Sequence, residues 1–131
     1  MTDTSRALVR AADEGAPEEW DDPTRGRIGF RTLFSHEETA TSGLTTGTAE
    51  LAPGGHLNRH RHPPAEVYRI LGGEGVASLD GVDHPVAAGD SVFIPGGAWH
   101  GIRNTGDVPL TVFYVLAADG MQDVAYDFGS D

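Results

Sequence analysis

The sequence predicts an all-β fold of the barrel or sandwich type. Three observations carry this: apolar runs of strand length recur from residue 27 onward, turn-forming residues separate them, and 18 glycines and 8 prolines are spread through 131 residues, which leaves little room for long helices. No longer repeat is visible, which favours a closed barrel or sandwich over a propeller or solenoid.

Taken in order, residues 4–13 read as a short helix capped by Thr4 or Ser5, because Leu8, Val9 and Ala12 fall on one side. Residues 15–26 are acidic and rich in Gly and Pro, and read as an exposed connection into a first strand, Arg27 to Ser35, followed by a polar loop from Glu37 to Ser42. Further strands are expected at Leu44–Leu51, Val67–Leu71, Val76–Leu79, Val82–Val86, Ser91–Ile94, Trp99–Arg103 and Leu110–Leu116. Asp80-Gly81 between two of these runs is a hairpin signal, since both turn residues must accept positive φ. The expected organisation is an N-terminal extension over 1–43, a barrel over 44–117, and a C-terminal strand and tail over 118–131.

Composition removes several function classes. The formal charge is −11, from 20 acidic and 9 basic residues, and a surface that negative repels phosphate backbones and anionic lipids. Nucleic acid and membranes are therefore not expected partners. All the basic residues are Arg, so a lysine Schiff base and a P-loop lysine are both excluded. The absence of Cys excludes a thiolate nucleophile, a disulfide and an iron–sulfur cluster, so a metal would have to be held by His and carboxylates. The N-terminus lacks a basic start followed by an apolar run, and no stretch is long enough to span a bilayer, so a cytoplasmic protein is expected.

The chemistry concentrates in two stretches. Gly54, His60, His62, Glu66 and Gly73 form one spaced set, and Gly89, Pro95, Gly97, His100 and Asn104 form another. On a strand His60 and His62 point one way and Arg59 and Arg61 the other, so two imidazoles face one cavity. Glu66 can return a carboxylate to that cavity from the next strand, and His100 would reach it from a distant one. Three imidazoles and a carboxylate suit a divalent first-row metal and leave coordination positions open for substrate or oxygen. The competing reading is a hydrogen-bonded polar cluster without metal, which is costly to bury in a small apolar barrel. His56 reads as a loop residue or as a further ligand or substrate contact, His36 and His84 as exposed, and Trp99, opposite His100, as packing or interface. Asn104 is expected to satisfy backbone groups at a strand end.

Both spacings resemble the two sequence motifs of the cupin superfamily, with no departure at a defining position. The chance of either match in a chain of this composition is on the order of 10⁻⁴. The resemblance covers residues 44–117 and implies a double-stranded β-helix, a jelly-roll-like barrel. It also implies that His60, His62, Glu66 and His100 hold one divalent metal ion, which in the family is iron, manganese, nickel, zinc or copper. Glu66-Val67-Tyr68 further resembles the arrangement in cupin lyases acting on dimethylsulfoniopropionate, and by the period of two Tyr68 and Ile70 share the interior face with Glu66.

The function expected from these residues is a metalloenzyme acting on a small oxygenated molecule, with dioxygenase chemistry favoured. A metal-dependent lyase or isomerase in which Tyr68 moves a proton is the second reading, and a non-catalytic small-molecule-binding protein the third. A homodimer is expected, with the Arg27–Ser35 strand extending a partner's sheet or else covering its own barrel edge.

Overall fold

The computed structural model describes residues 6–129. Ten strands are present: β1 (Pro17–Asp22), β2 (Gly26–Phe34), β3 (Thr45–Leu51), β4 (His56–His60), β5 (Glu66–Gly72), β6 (Glu74–Leu79), β7 (Val82–Ala87), β8 (Ser91–Ile94), β9 (His100–Asn104) and β10 (Leu110–Leu116). A single 3₁₀ turn, Met121–Asp123, is the only helical element among the described residues. No helix among them is long and apolar enough to cross a membrane.

The strands hydrogen-bond in the order β7-β6-β9-β4-β2-β3-β10-β5-β8, with β1 beside β2, and every pairing is antiparallel. In that order β4 and β5 are four strands apart. Side chains from β5 and β9 nevertheless meet at 3.3 Å, Glu66 Oε1 against His100 Nε2. The sheet must therefore be rolled on itself, which is how this all-β chain makes an inside.

Alternation writes the interior into each central strand. β10 alternates strictly between buried and half-buried positions, and in β5 the buried residues are Glu66, Tyr68 and Ile70 while Val67, Arg69 and Leu71 face out. Leu51, Ile70, Ile94, Leu110 and Leu116 form the most deeply buried part of the core. The β6–β7 hairpin turns on Asp80 and Gly81 at φ 50° and 82°, the double positive φ that this dipeptide permits. Asn104 holds its strand end together: Nδ2 donates to Leu51 O at 2.9 Å and Val108 O at 2.8 Å, and Oδ1 accepts from Gly106 N–H at 2.8 Å.

Four expectations need correction. Residues 6–13 carry no helix, while residues 4 and 5 lie outside the described residues. Leu8 and Val9 are exposed, Val9 at 93%, so no apolar stripe is buried, and a helix this short has no support without one. The acidic connection contains β1, an antiparallel partner of β2 from Pro17↔Arg31 to Asp22↔Gly26. Its turn is closed by Asp22, whose carboxylate accepts from the Arg25 backbone N–H and Nε, both at 2.7 Å, and the Arg25 N–H foremost holds that carboxyl below its ordinary value. A second strand outside the expected set, β4, runs from His56 to His60, so His56 lies on a strand and not in a loop. Finally, β2 cannot extend a partner's sheet, because β1 takes one side and β3 and β4 the other.

Candidate metal centre and aromatic chamber

His60 ends β4, His62 follows a one-residue bridge in which Arg61 pairs with Asp127, Glu66 opens β5 and His100 opens β9. All four side chains are buried. One nitrogen from each of His60, His62 and His100 lies within 4.8 Å of the others. Glu66 Oε1 stands 3.1 Å from His62 Nε2 and 3.3 Å from His100 Nε2.

The imidazoles are oriented by the backbone. His60 Nδ1 donates to Asn58 O at 2.8 Å, His62 Nδ1 to Pro64 O at 2.9 Å and His100 Nδ1 to Ala98 O at 2.9 Å. A carbonyl only accepts, so Nδ1 carries the proton in each ring and Nε2 is the atom turned to the centre. Such carbonyl partners are what fix ring orientation in metal-ligating histidines.

Without an ion this arrangement is electrostatically incomplete. His100 Nε2 is buried with no hydrogen-bond partner, since its approach to Glu66 lacks hydrogen-bond geometry. Burial, reinforced by His100, pushes His60 down to about 4, so His60 stays neutral. Burial opposes charge on His62 as well, but the hydrogen bond and negative charge of Glu66 outweigh it and raise His62. Burial likewise works against the Glu66 carboxylate, and the close His100 imidazole and the hydrogen bond from His62 overcome it and lower its pKa. Three Nε2 atoms and a carboxylate that lack enough protons to satisfy one another form a donor set that a divalent cation fits.

Beside this cluster lies a chamber of about 50 Å³, room for one or two water molecules at a liquid share of ~30 Å³ each. Its wall includes the rings of Trp20, Phe30, Tyr68, Tyr114 and Tyr126, and Glu66 is its one charged residue. Tyr114 Oη is 3.2 Å from Thr32 Oγ1, and a Cβ at Gly47 would meet that hydroxyl at 2.5 Å, so glycine is what admits the phenol there. Tyr68 and Tyr126 have no hydrogen-bond partner among the described residues, and burial, with Glu66 adding to it, raises both above their ordinary value.

The sequence-predicted residues His60, His62, Glu66 and His100 are thus brought together, and Tyr68 lies nearby, its ring centroid 6.4 Å from that of His100. His56 is not part of the cluster; its Nδ1 approaches only Gly54 O. Trp99 lies on the outer face, with the Arg59 guanidinium 3.8 Å and the Arg61 guanidinium 4.5 Å from its ring centroid. Three site residues were missed. Trp20 arrives on β1, and the tail brings Tyr126 and Phe128, whose rings lie 5.5 Å and 5.2 Å from His60. The alternation of Tyr126 and Phe128 around Asp127 was the available signal, because the Arg61–Asp127 bridge is what seats both rings.

Comparison with known proteins defines the class. The cupin-domain profile matches residues 47–116, and the chain belongs to the cupin family. Among its relatives, the dimethylsulfoniopropionate lyase DddW of Ruegeria pomeroyi is 39% identical over 107 residues, covering 82% of this chain and 70% of that one. An oxalate-binding protein of Thermotoga maritima is 34% identical over 93 residues, covering 70% and 77%. A cupin-2 domain of Rhodospirillum rubrum superposes with a TM-score of 0.78 at 24% identity over 97% of this chain and 82% of its own, a likeness of fold.

Proposed function

We propose that the chain is a metal-dependent lyase that removes a proton from the carbon next to a carboxylate and expels a leaving group from the following carbon. The observation that carries this reading is Tyr68, whose hydroxyl has no hydrogen-bond partner among the described residues and which lines the chamber beside the donor cluster. His60, His62, His100 and Glu66 would hold a divalent ion, which supplies positive charge to fix the substrate carboxylate and acidify the neighbouring C–H. Tyr68 then stands on the interior face two residues from Glu66, with burial keeping bulk water away. With an ion held there, the Tyr68 phenol would fall from the raised value that burial gives it and give up its own proton; the phenolate so formed would take the substrate proton, the C–H electron pair would become the new C=C bond, and the leaving group would depart with its bonding pair. The likeness to DddW supports this order of preference over dioxygenase chemistry, the reading favoured from the sequence.

The test is acrylate release from dimethylsulfoniopropionate by metal-loaded protein, with oxygen uptake followed in parallel. Tyr68→Phe should lower turnover by about 10²-fold or more with metal content unchanged. Oxygen consumption without acrylate would replace the lyase with the dioxygenase reading, and unchanged turnover in the variant would remove Tyr68 from the chemistry.

The homodimer is retained as part of this proposal through a surface other than β2. Phe93, Val67 and Val115 form a row across β8, β5 and β10, and Phe93 is 65% exposed at the edge strand. Light scattering should give twice the chain mass, and Phe93→Asp should halve it; a monomeric mass for the unaltered chain removes the dimer.

A further inference from the structure

Residues 125–129 lie across the donor cluster. The Tyr126 ring centroid is 5.5 Å from that of His60 and 5.4 Å from that of His62, and the Phe128 centroid is 5.2 Å from that of His60. Beneath this cover His60, His62 and His100 are at most 2% exposed. An ion or ligand therefore reaches them only when part of the cover moves. We infer that residues 125–129 are a gate over the donor cluster, turning about Val124 and latched by Asp127 on Arg61. This rests on the reading that the cluster holds an ion.

The way this segment is fastened sets it apart from the rest of the cover. Trp20 and Phe30 lie on β1 and β2, which pair along the whole of β1. Among the described residues, 125–129 make two backbone hydrogen bonds to the barrel, Arg61 N–H to Asp127 O and Asp127 N–H to Arg61 O, both at 2.9 Å. The side-chain part of the latch, Arg61 Nε to Asp127 Oδ2 at 3.0 Å, is about half exposed on either side, and ion pairs so exposed add little stability. A segment tied by so few bonds opens without unfolding the barrel. Its base is firm: Val124 is buried in the core and its N–H donates to Met121 O at 3.1 Å. Its far end moves with the latch, because Asp127 Oδ1 accepts from the Gly129 N–H at 2.9 Å.

The gate divides two spaces. On its outer side Arg59, Arg61 and Trp99 line an open cleft together with Asp127 and Phe128. Phe128 also packs on His60, so it stands between the cleft and the cluster. The fixed side of the cleft has its own support, since the Arg59 and Arg61 guanidiniums lie 3.8 and 4.5 Å from the Trp99 ring centroid. When Asp127 lets go, Arg61 keeps its place on Trp99, and the gate returns to the same partner. Opening exposes two half-buried rings to water, which keeps the closed state the populated one.

A gate changes how fast an ion passes and leaves its affinity alone, whereas a wall that props up the donors changes the affinity. The experiment is stopped-flow uptake of Zn²⁺ by the metal-free full chain, followed with a zinc-indicator dye, and release of Zn²⁺ from the loaded chain to the neutral chelator 1,10-phenanthroline. Phe128→Ala should speed uptake and release by the same factor, about fivefold or more, with Kd unchanged to within about twofold. Asp127→Asn, which alters only the exposed latch and serves if Phe128→Ala does not fold, should speed both by about twofold to fivefold. Unchanged rates in the variants, or a changed Kd with an unchanged uptake rate, overturn the gate. Hydrogen exchange at the Arg61 amide of metal-free protein separates the gate from the ion, because the acceptor of that amide is Asp127 O. Asp127→Asn should speed this exchange by about twofold to fivefold as well. Failure to bind Zn²⁺ would remove the metal reading, and the Arg61 amide then decides alone: exchange that Asp127→Asn leaves unchanged overturns the gate.

Discussion

The donor cluster and the aromatic wall meet at the same chamber but are built in different ways. Each imidazole of the cluster is aimed by a carbonyl two residues away: Asn58 for His60, Pro64 for His62, Ala98 for His100. The wall has no such local instruction. Trp20 is held by the β1–β2 pairing and by edge contacts to Phe30 and Tyr126, and Tyr126 is held through the bridge between Arg61 and Asp127, 66 residues apart. The difference separates two tasks. Short-range hydrogen bonds fix the atoms that would hold an ion to within tenths of an ångström, and long-range packing shapes the space beside them.

The largest expected effect breaks the two regions apart. His62→Ala and His100→Ala should each reduce bound metal from about one per chain to under a tenth, read by elemental analysis after purification with excess ion. An ion that binds only the folded chain stabilises it by about 4 kcal/mol at a thousandfold excess over Kd, so both variants should also lose the rise in Tm that metal gives the unaltered protein. Tyr126→Leu, in the wall, should keep the metal and the rise. Full metal content in the His variants would mean that the cluster is only a hydrogen-bonded core, and metal loss in Tyr126→Leu would mean that cluster and wall do not act separately.

The same division explains what could be read from the sequence. His60, His62, Glu66, Tyr68 and His100 were legible because their spacing reflects local constraints: period-two alternation on β5, and backbone carbonyls within two residues of each ring. Asp80-Gly81 was legible for the same reason, as a dipeptide whose φ values follow from its own chemistry. Trp20 was not. β1 is PEEWDD, with three exposed residues before the half-buried Trp20, and its strand character comes wholly from pairing with β2. Residues 118–131 are expected to hold a strand and a tail, yet among the described residues their strand-like pairing is the isolated Arg61–Asp127 bridge, and what places them is Tyr126 and Phe128 against His60. Local preference carries no record of either contact.

A smaller effect sharpens the comparison by asking whether the wall is dry. All three tyrosines of the chain line the chamber, and burial raises the pKa of each. Tyr114 is pushed up to about 12, burial outweighing the hydrogen bond with Thr32. The sign follows from linkage. A phenol whose folded pKa lies above its unfolded value of about 10 contributes its full stability below pH ~10, and that contribution is lost as the pH climbs from about 10 to about 12. For a shift of roughly two units the loss is on the order of 2–3 kcal/mol. In metal-free protein, unfolding midpoints in urea should therefore hold steady up to about pH 9.5 and fall above it, and phenolate absorbance should rise only together with unfolding. A tyrosine that titrates near pH 10 while the chain remains folded would place water against the rings. A wet wall would still leave the donor cluster aimed by its carbonyls, but it would not exclude solvent from the chamber beside it.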